Sequence, residues 1–222
     1  MSFLRILIVL VLSAQFIGCH NLQKKPRFTL EKGDLLFQDL DSDSISDAIE
    51  SVTGGAKDLS FSHVGIVDIK SNGDTVVLEA ISKGVTYTTL QSFLERSSTA
   101  DKKFKVEVGR LNPEFKSFID KALEAGEKLI GKPYDAIYVM GDSSYYCSEL
   151  IYDIFASKGD SMEVFQLNPM TFKDANSGDF LPFWIAYYKN LGVEIPEGKP
   201  GLNPNGMHQS PNIEIVFSYL RQ

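Results

Sequence analysis

Two short apolar runs decide the fold of this sequence: Ser62-His63-Val64-Gly65-Ile66-Val67-Asp68-Ile69 and Thr75-Val76-Val77-Leu78-Glu79-Ala80. Both runs are rich in the β-branched residues Val and Ile, which favour strands. The dipeptide Asn72-Gly73 lies between them and is a strong signal for the turn of a β-hairpin. The sequence therefore predicts an antiparallel pair of strands here.

The rest of the chain adds strands and helices in separate blocks. Further strands are predicted at residues 35–37, 86–88, 104–111 and 213–220, and helices are predicted from Ser42 or Asp43 to Gly54, from Pro113 to Gly131 and from Cys147 to Ala156. A helix over residues 180–191 is expected to be broken early by Pro182, and residues 196–211 are expected to form an extended loop. Sequential antiparallel strands with helices in blocks indicate an α+β fold, and we predict one domain over residues 28–222.

The N-terminus has the layout of a secretory signal peptide. Arg5 precedes the unbroken apolar run Ile6 to Leu12, and small and polar residues follow as far as Gly18. The run is too short for a spanning helix, which needs about 20 predominantly apolar residues. We therefore expect residues 1–18 to be removed and the protein to be exported.

Cys19 is the candidate lipidation site. The residues Phe16-Ile17-Gly18 before it resemble the lipobox of bacterial lipoproteins, although Phe16 stands where Leu is usual; ordinary cleavage with a free cysteine is the alternative. A lipidated Cys19 would be the domain's membrane anchor, with residues 19–27 as a tether. His20, rather than Asp, follows the cysteine, and by resemblance to lipoprotein sorting signals this favours the outer membrane of a Gram-negative cell.

The second cysteine of the chain, Cys147, is a candidate nucleophile. It lies at the predicted start of a helix, where free backbone N–H groups and the helix dipole stabilise a thiolate and can donate to an oxyanion. Once Cys19 is lipidated, Cys147 has no disulfide partner within the chain. The alternative is a small buried hydrophobic residue without reactivity. Glu149, two residues on, is expected to be a capping-box residue rather than a catalytic one.

His63 is the candidate base because, of the three histidines, it alone lies in a predicted strand. A strand of a packed sheet holds a side chain in one orientation, as a catalytic base requires. The alternative is a core histidine bonded to the backbone.

Glu79 lies in an apolar context on the next strand and can orient the imidazole. This role carries a condition, because a two-residue Asn72-Gly73 loop would place His63 and Glu79 on opposite faces of the sheet. An odd-length loop or a bulge would return them to one face.

Four motifs in this order resemble the YiiX/YebB-like group of permuted papain-like amidases, relatives of the NlpC-type cell-wall peptidases and of the lecithin:retinol acyltransferase family. They are Lys32-Gly33-Asp34-Leu35-Leu36-Phe37, Phe61-Ser62-His63-Val64-Gly65-Ile66-Val67, Gly131-Lys132-Pro133-Tyr134-Asp135 and Tyr146-Cys147-Ser148-Glu149-Leu150. The resemblance covers roughly residues 28–220. It implies a circularly permuted papain-like fold, in which an antiparallel sheet packs against helices and the histidine precedes the cysteine.

The resemblance also implies roles for individual residues. Cys147 would be the nucleophile, His63 the general base and Glu79 the orienting residue, while Tyr134 and Tyr146 would contact substrate. The aromatic group around Trp184 is expected to belong to the core. No metal or organic cofactor is implied, because the sequence has no cluster of His and Cys residues.

The predicted function is a cysteine hydrolase that cleaves an amide, with cell-wall peptide or a related envelope amide as substrate. One alternative is a lipid-directed acyltransferase or deacylase, which an apolar groove beside Cys147 would favour; a polar cleft with an acid that binds a free amine would favour peptide. Another is a non-catalytic envelope binding module with a buried, inert Cys147. A net charge of −7 and the absence of a basic stripe argue against nucleic acid.

Overall fold

The computed structural model describes residues 28–41, 44–54, 59–141, 143–156 and 164–221. The predicted signal peptide, Cys19 and the predicted tether lie outside the described residues, as do the two predicted capping residues, Ser42 and Asp43. None of the described helices is long and apolar enough to cross a membrane.

A six-stranded antiparallel sheet forms the centre of the fold, in the order β4-β3-β2-β1-β5-β8. Its strands are β1 (Leu35–Gln38), β2 (His63–Ile69), β3 (Thr75–Ile81), β4 (Gly84–Thr89), β5 (Val106–Leu111) and β8 (Ile213–Ser218). Two short strands, β6 (Asn168–Pro169) and β7 (Pro200–Gly201), pair separately. The α+β fold and the antiparallel sheet predicted from the sequence are confirmed.

The hairpin between β2 and β3 has a three-residue loop, residues 71–73. The Gly73 N–H donates to the Lys70 carbonyl at 2.8 Å, and Gly73 has a φ of 89°, the left-handed conformation that this loop type needs. Ile66 therefore faces Leu78, and odd-numbered residues of one strand oppose odd-numbered residues of the other. This register places His63 and Glu79 on the same face of the sheet.

The helices cover both faces of the sheet. They are α1 (Ser44–Thr53), α2 (Leu90–Glu95), α3 (Ile119–Glu127), α4 (Cys147–Phe155), α5 (Pro182–Leu191) and α6 (Pro204–His208), and a 3-10 turn (Pro113–Phe118) precedes α3. The larger core lies on the face that α3 and α4 cover, where α4 buries Leu150, Ile151 and Ile154. A smaller core on the other face contains Phe93 of α2.

Two predictions for the C-terminal part of the chain are wrong in detail. Pro182 does not break a helix but begins α5, because its missing N–H costs nothing in the first turn. The predicted extended loop over residues 196–211 contains β7 and α6, and Asn203 caps α6 by accepting a hydrogen bond from the Gly206 N–H. Trp184, by contrast, is buried in an aromatic cluster between α5 and α1, as expected.

Candidate active site

Cys147 is the first residue of α4 and is buried. Tyr146 before it is in an extended conformation, so the chain turns into the helix at Cys147 itself. The first N–H groups of a helix have no acceptor within the helix, and the helix dipole gives this end partial positive charge. The sequence therefore places a thiol at a point that favours its ionised form.

Glu149 anchors the segment that leads into this helix. Its carboxylate accepts hydrogen bonds from the backbone N–H groups of Gly141, at 3.0 Å, and of Tyr146, at 3.4 Å. Burial raises the pKa of Glu149 to about 8, although these two hydrogen bonds act in the opposite direction. The side chain is fully buried beneath the loop and holds the approach to Cys147, as a capping residue does.

His63 and Glu79 form a buried pair on the sheet. The distance between His63 Nε2 and Glu79 Oε2 is 2.6 Å, and both side chains are almost completely shielded from solvent. The three-residue hairpin loop makes this contact possible, since it sets the strand register that puts both residues on one face.

The sulfur of Cys147 lies against this pair. The imidazole of His63 and the backbone N–H of Val64, the next residue of β2, both lower the pKa of the thiol, and the Ser148 hydroxyl lies 3.8 Å from the sulfur. Because Nε2 of His63 is bonded to Glu79, the ring nitrogen left for the sulfur is Nδ1. The thiol, the imidazole and the carboxylate are therefore neighbours in one buried group.

The electrostatics of this chain favour a thiolate and an imidazolium. Burial would raise the pKa of the Cys147 thiol, but the hydrogen bond and the charge of His63 outweigh burial and bring the pKa below its usual range. Burial would likewise lower the pKa of His63, but its bonds to Cys147 and Glu79 raise it to about 9. His63 is therefore protonated near neutral pH, and its positive charge favours the thiolate form of Cys147, the reactive form of a cysteine.

Arg96, just after α2, is a fourth member of the group that the sequence analysis missed. Its Nη2 donates to Glu79 Oε2 at 2.6 Å, the same oxygen that contacts His63. Burial would raise the pKa of Glu79, but His63 and Arg96 together lower it to about 2. The one available signal was that a carboxylate in so apolar a strand needs a cationic partner.

The two tyrosines expected to contact substrate differ in position. Tyr146 is buried, and its hydroxyl accepts from the Leu202 N–H at 3.2 Å and donates to the Met140 sulfur at 3.2 Å. Tyr134 is half-buried; burial, and then the negative charge of Cys147, raises its pKa. Tyr146 lines the cavity beside Cys147, whereas Tyr134 lies outside the cavity lining.

A cavity of about 370 Å³ opens beside Cys147. Its walls come from α1, the start of α4, the segment around β6, and the chain from β7 to residue 212. Buried lining residues include Phe172, Trp184 and Met207. The sequence analysis did not find this cavity, because its walls come from segments far apart in the chain.

A cysteine at a helix start that faces a histidine and a carboxylate or amide on strands is the arrangement of papain-like hydrolases. Here the histidine comes first in the chain, so the fold is a permuted one. Residues 29–217 match the family model of the permuted papain-like amidase enzymes, YaeF/YiiX, C92 family. The chain belongs to this family, which makes it a member of a cysteine-type amidase and peptidase group.

Two relatives support this assignment. The uncharacterised protein YiiX of Escherichia coli strain K12 is 28% identical over 187 residues, which are 84% of this chain and 85% of that protein. A crystal structure of YiiX from Escherichia coli O157:H7 has the same fold, with a TM-score of 0.67, 24% identity and coverage of 85% of this chain and 97% of that one.

The Escherichia coli O157:H7 structure is described as that of a metalloprotein. In the part of this chain that the structure describes, no three or more His, Cys, Asp or Glu side chains are grouped so that they could hold a metal ion. The described residues therefore do not fit a metal centre.

Proposed function

We propose that this protein is a cysteine amidase that hydrolyses an amide through Cys147, His63 and Glu79. The observation that carries the proposal is the buried group of Cys147, at the start of a helix, with the hydrogen-bonded pair of His63 and Glu79, in which His63 lowers the pKa of the thiol. A merely structural cysteine would have its pKa raised by burial, whereas here the pKa is lowered.

The reaction would proceed in two steps. The Cys147 thiolate attacks the carbonyl carbon, and the backbone N–H of Cys147 donates to the developing oxyanion. The imidazolium of His63 then protonates the leaving nitrogen, so that the C–N bond breaks and a thioester remains. Water attacks the thioester while His63 takes its proton, and the acid and the thiolate are released. Glu79 orients the imidazole throughout.

The cell envelope is the proposed place of this activity. Residues 1–18 read as a signal peptide and Cys19 as a lipidated residue, so the enzyme would face the amides of the envelope, such as those of cell-wall peptide. Lipid-directed acyl chemistry is the second candidate, because the interior of the cavity beside Cys147 is lined by apolar side chains.

The rate of Cys147 alkylation by iodoacetamide, measured against pH, tests whether His63 lowers the pKa of Cys147. In the wild-type protein, reactivity should persist well below the usual cysteine pKa of about 8.5. In His63→Ala, the reactive range should shift up towards that value. The protein should also hydrolyse acyl p-nitroanilides and form a mass-detectable acyl-enzyme, and Cys147→Ala should lack both.

Two results would count against the proposal. A wild-type protein with an ordinary pH profile that His63→Ala leaves unchanged would show that the two residues do not work together. An inert Cys147 would favour the non-catalytic binding module.

A further inference from the structure

We infer that the outer side of β5 and β8 lies against the phospholipid surface that carries the protein's anchor. The contact is made by an aromatic surface, which consists of Phe28, Phe104, Phe217 and Tyr219. The inference rests on the proposed lipidation of Cys19 and goes beyond the proposed amidase activity, since the described lining of the cavity beside Cys147 does not include these residues. It is carried by the point at which the tether joins the domain and by the chemistry of the surface there.

The rings of the aromatic surface form a continuous row. Phe28 stacks on Phe217 with the ring centroids 4.1 Å apart. The ring of Tyr219 follows, 5.0 Å from that of Phe217 and 6.2 Å from that of Phe104. All of these residues pack from outside against the smaller core and are only half-buried. Such rings are favoured where hydrocarbon meets water, because the ring can enter the apolar layer while the tyrosine hydroxyl stays among the headgroups.

This side of the sheet has little helix cover. Among the described residues, the helical members of the smaller core all come from α2, which has six residues and packs against β3 and β4. On the opposite side of the sheet, α3 and α4 cover the larger core. The rings over β5 and β8 are therefore left partly in water, and they would gain free energy from contact with an apolar layer.

Phe28, where the predicted tether joins the domain, belongs to a segment that is fixed to this surface. The Arg110 side chain of β5 holds the segment through its Nη2, which donates to the Thr29 carbonyl at 3.3 Å. Its Nη1 donates to Glu31 Oε1 at 2.6 Å, and its Nε donates to Oδ1 of the buried Asp34 at 2.8 Å. The tether therefore starts from the aromatic surface itself.

The length of the tether restricts which side of the domain can meet the membrane. Phe28 follows Cys19 by nine positions, and a chain of this length spans at most about 30 Å when fully extended. A domain of about 200 residues is roughly 40 Å across. With Cys19 at the membrane, Phe28 therefore cannot lie on the far side of the domain, because the tether would not reach round it.

The charges beside the rings suit a membrane with anionic lipids. Lys102 and Lys103 come immediately before Phe104, and the side chain of Arg221, two residues after Tyr219, is 61% exposed. Asp101 offsets one of these three positive charges. Cations near an anionic membrane surface add electrostatic attraction to the burial of apolar rings. The combination of rings and cations thus favours phospholipid over a purely apolar protein partner.

Quenching of a fluorophore by nitroxide lipids tests the contact in the whole lipidated protein. The protein carries Cys147→Ser, so that a nitrobenzoxadiazole label can be placed on the single thiol of Lys103→Cys. It is reconstituted into vesicles of phosphatidylethanolamine and phosphatidylglycerol that also contain a phosphatidylcholine with a nitroxide on its headgroup. Because an interfacial surface enters the headgroup boundary by about 5–10 Å, the label should lose at least about half of its fluorescence.

Lys189→Cys is the matched control for the label. Lys189 is an exposed lysine of α5, which packs into the separate aromatic cluster around Trp184, so its label should keep nearly all of its fluorescence. A charge reversal supplies a second comparison. Lys102→Glu should weaken the quenching at Lys103→Cys at least about twofold in these anionic vesicles. Lys128→Glu, the same change at an exposed lysine just after α3, should leave the quenching unchanged.

The outcomes separate this inference from the proposed anchor and the proposed activity. A protein that floats with the vesicles but is quenched equally at the two labelled positions, or not at all at Lys103→Cys, would overturn the inference and leave the anchor standing. A Lys103→Cys label that is shielded from a water-soluble quencher but untouched by the nitroxide lipid would overturn it in favour of a protein partner, such as a second copy. A protein that does not float would contradict the anchor and the inference together. Amide turnover does not enter any of these readings.

Discussion

A single oxygen, Glu79 Oε2, is hydrogen-bonded both to His63 Nε2 and to Arg96 Nη2, each at 2.6 Å. The negative charge of Glu79 is thus shared between the imidazolium and the guanidinium. Arg96 is a positioning residue in this arrangement, since it acts on the reaction only through Glu79. The two partners of the carboxylate should consequently have opposite effects on the acidity of His63.

The alkaline limb of the pH dependence of kcat/KM reports the pKa of His63. The pKa of His63 is raised to about 9, so general-acid activity should be full at lower pH and lost as pH rises through about 9. Glu79→Gln should move this midpoint down by roughly one unit or more and lower kcat/KM by at least about tenfold. Arg96→Met should move the midpoint up, because it removes a positive charge.

Arg96→Lys is the control, since it keeps a cation beside Glu79 and should leave the midpoint near that of the wild type. A shift in the same direction for Glu79→Gln and Arg96→Met would mean that the carboxylate does not mediate between the two cations. If neither Glu79→Gln nor Arg96→Met changed the midpoint, Glu79 would have no influence on the acidity of His63.

Local signals predicted most of the elements that hold the site. The β-branched runs around His63 and Glu79 predicted β2 and β3, and the apolar face after Cys147 predicted α4, because each signal lies within a few neighbouring residues. The exact loop length did not follow from Asn72-Gly73, since this dipeptide suits both two- and three-residue turns. The contact of Arg96 with Glu79 is a tertiary one, and no local pattern encodes it.

Glu149 holds the segment before α4 through two backbone hydrogen bonds. Glu149→Ala would remove the acceptor of the N–H groups of Gly141 and Tyr146, and the loss at the buried Tyr146 costs roughly 1–3 kcal/mol. We expect the free energy of unfolding in urea to fall by about 2 kcal/mol or more, and alkylation of Cys147 to lose its low-pH reactivity as the helix start loosens.

Glu124→Ala is the matched control, because Glu124 is an exposed glutamate on α3. It should change the unfolding free energy by less than about 0.5 kcal/mol. If Glu149→Ala were as stable and as reactive as this control, Glu149 would not be holding the segment before Cys147.

At the scale of the whole molecule, the site lies where the sheet, α4 and the C-terminal segments meet. The nucleophile comes from α4, the histidine and the carboxylate come from the sheet, and the cavity wall comes largely from residues 164–172 and 201–212. Hydrophobic patterning predicts which residues are buried, but it does not predict where buried surfaces fail to meet. The cavity therefore could not be predicted from the sequence.

A lipidated Cys19 would determine which amides can reach the cavity beside Cys147. Two or more acyl chains on one cysteine hold a protein stably at a membrane, so a lipidated Cys19 would keep the enzyme at the envelope surface, next to acyl-bearing molecules. Cys19→Ser should move most of the protein from the membrane fraction to the soluble fraction and remove the mass added by lipidation. Cys147→Ser should leave the fractionation unchanged. Membrane retention of Cys19→Ser would contradict lipid anchoring through this residue, and the substrate would then have to be sought without regard to a membrane surface.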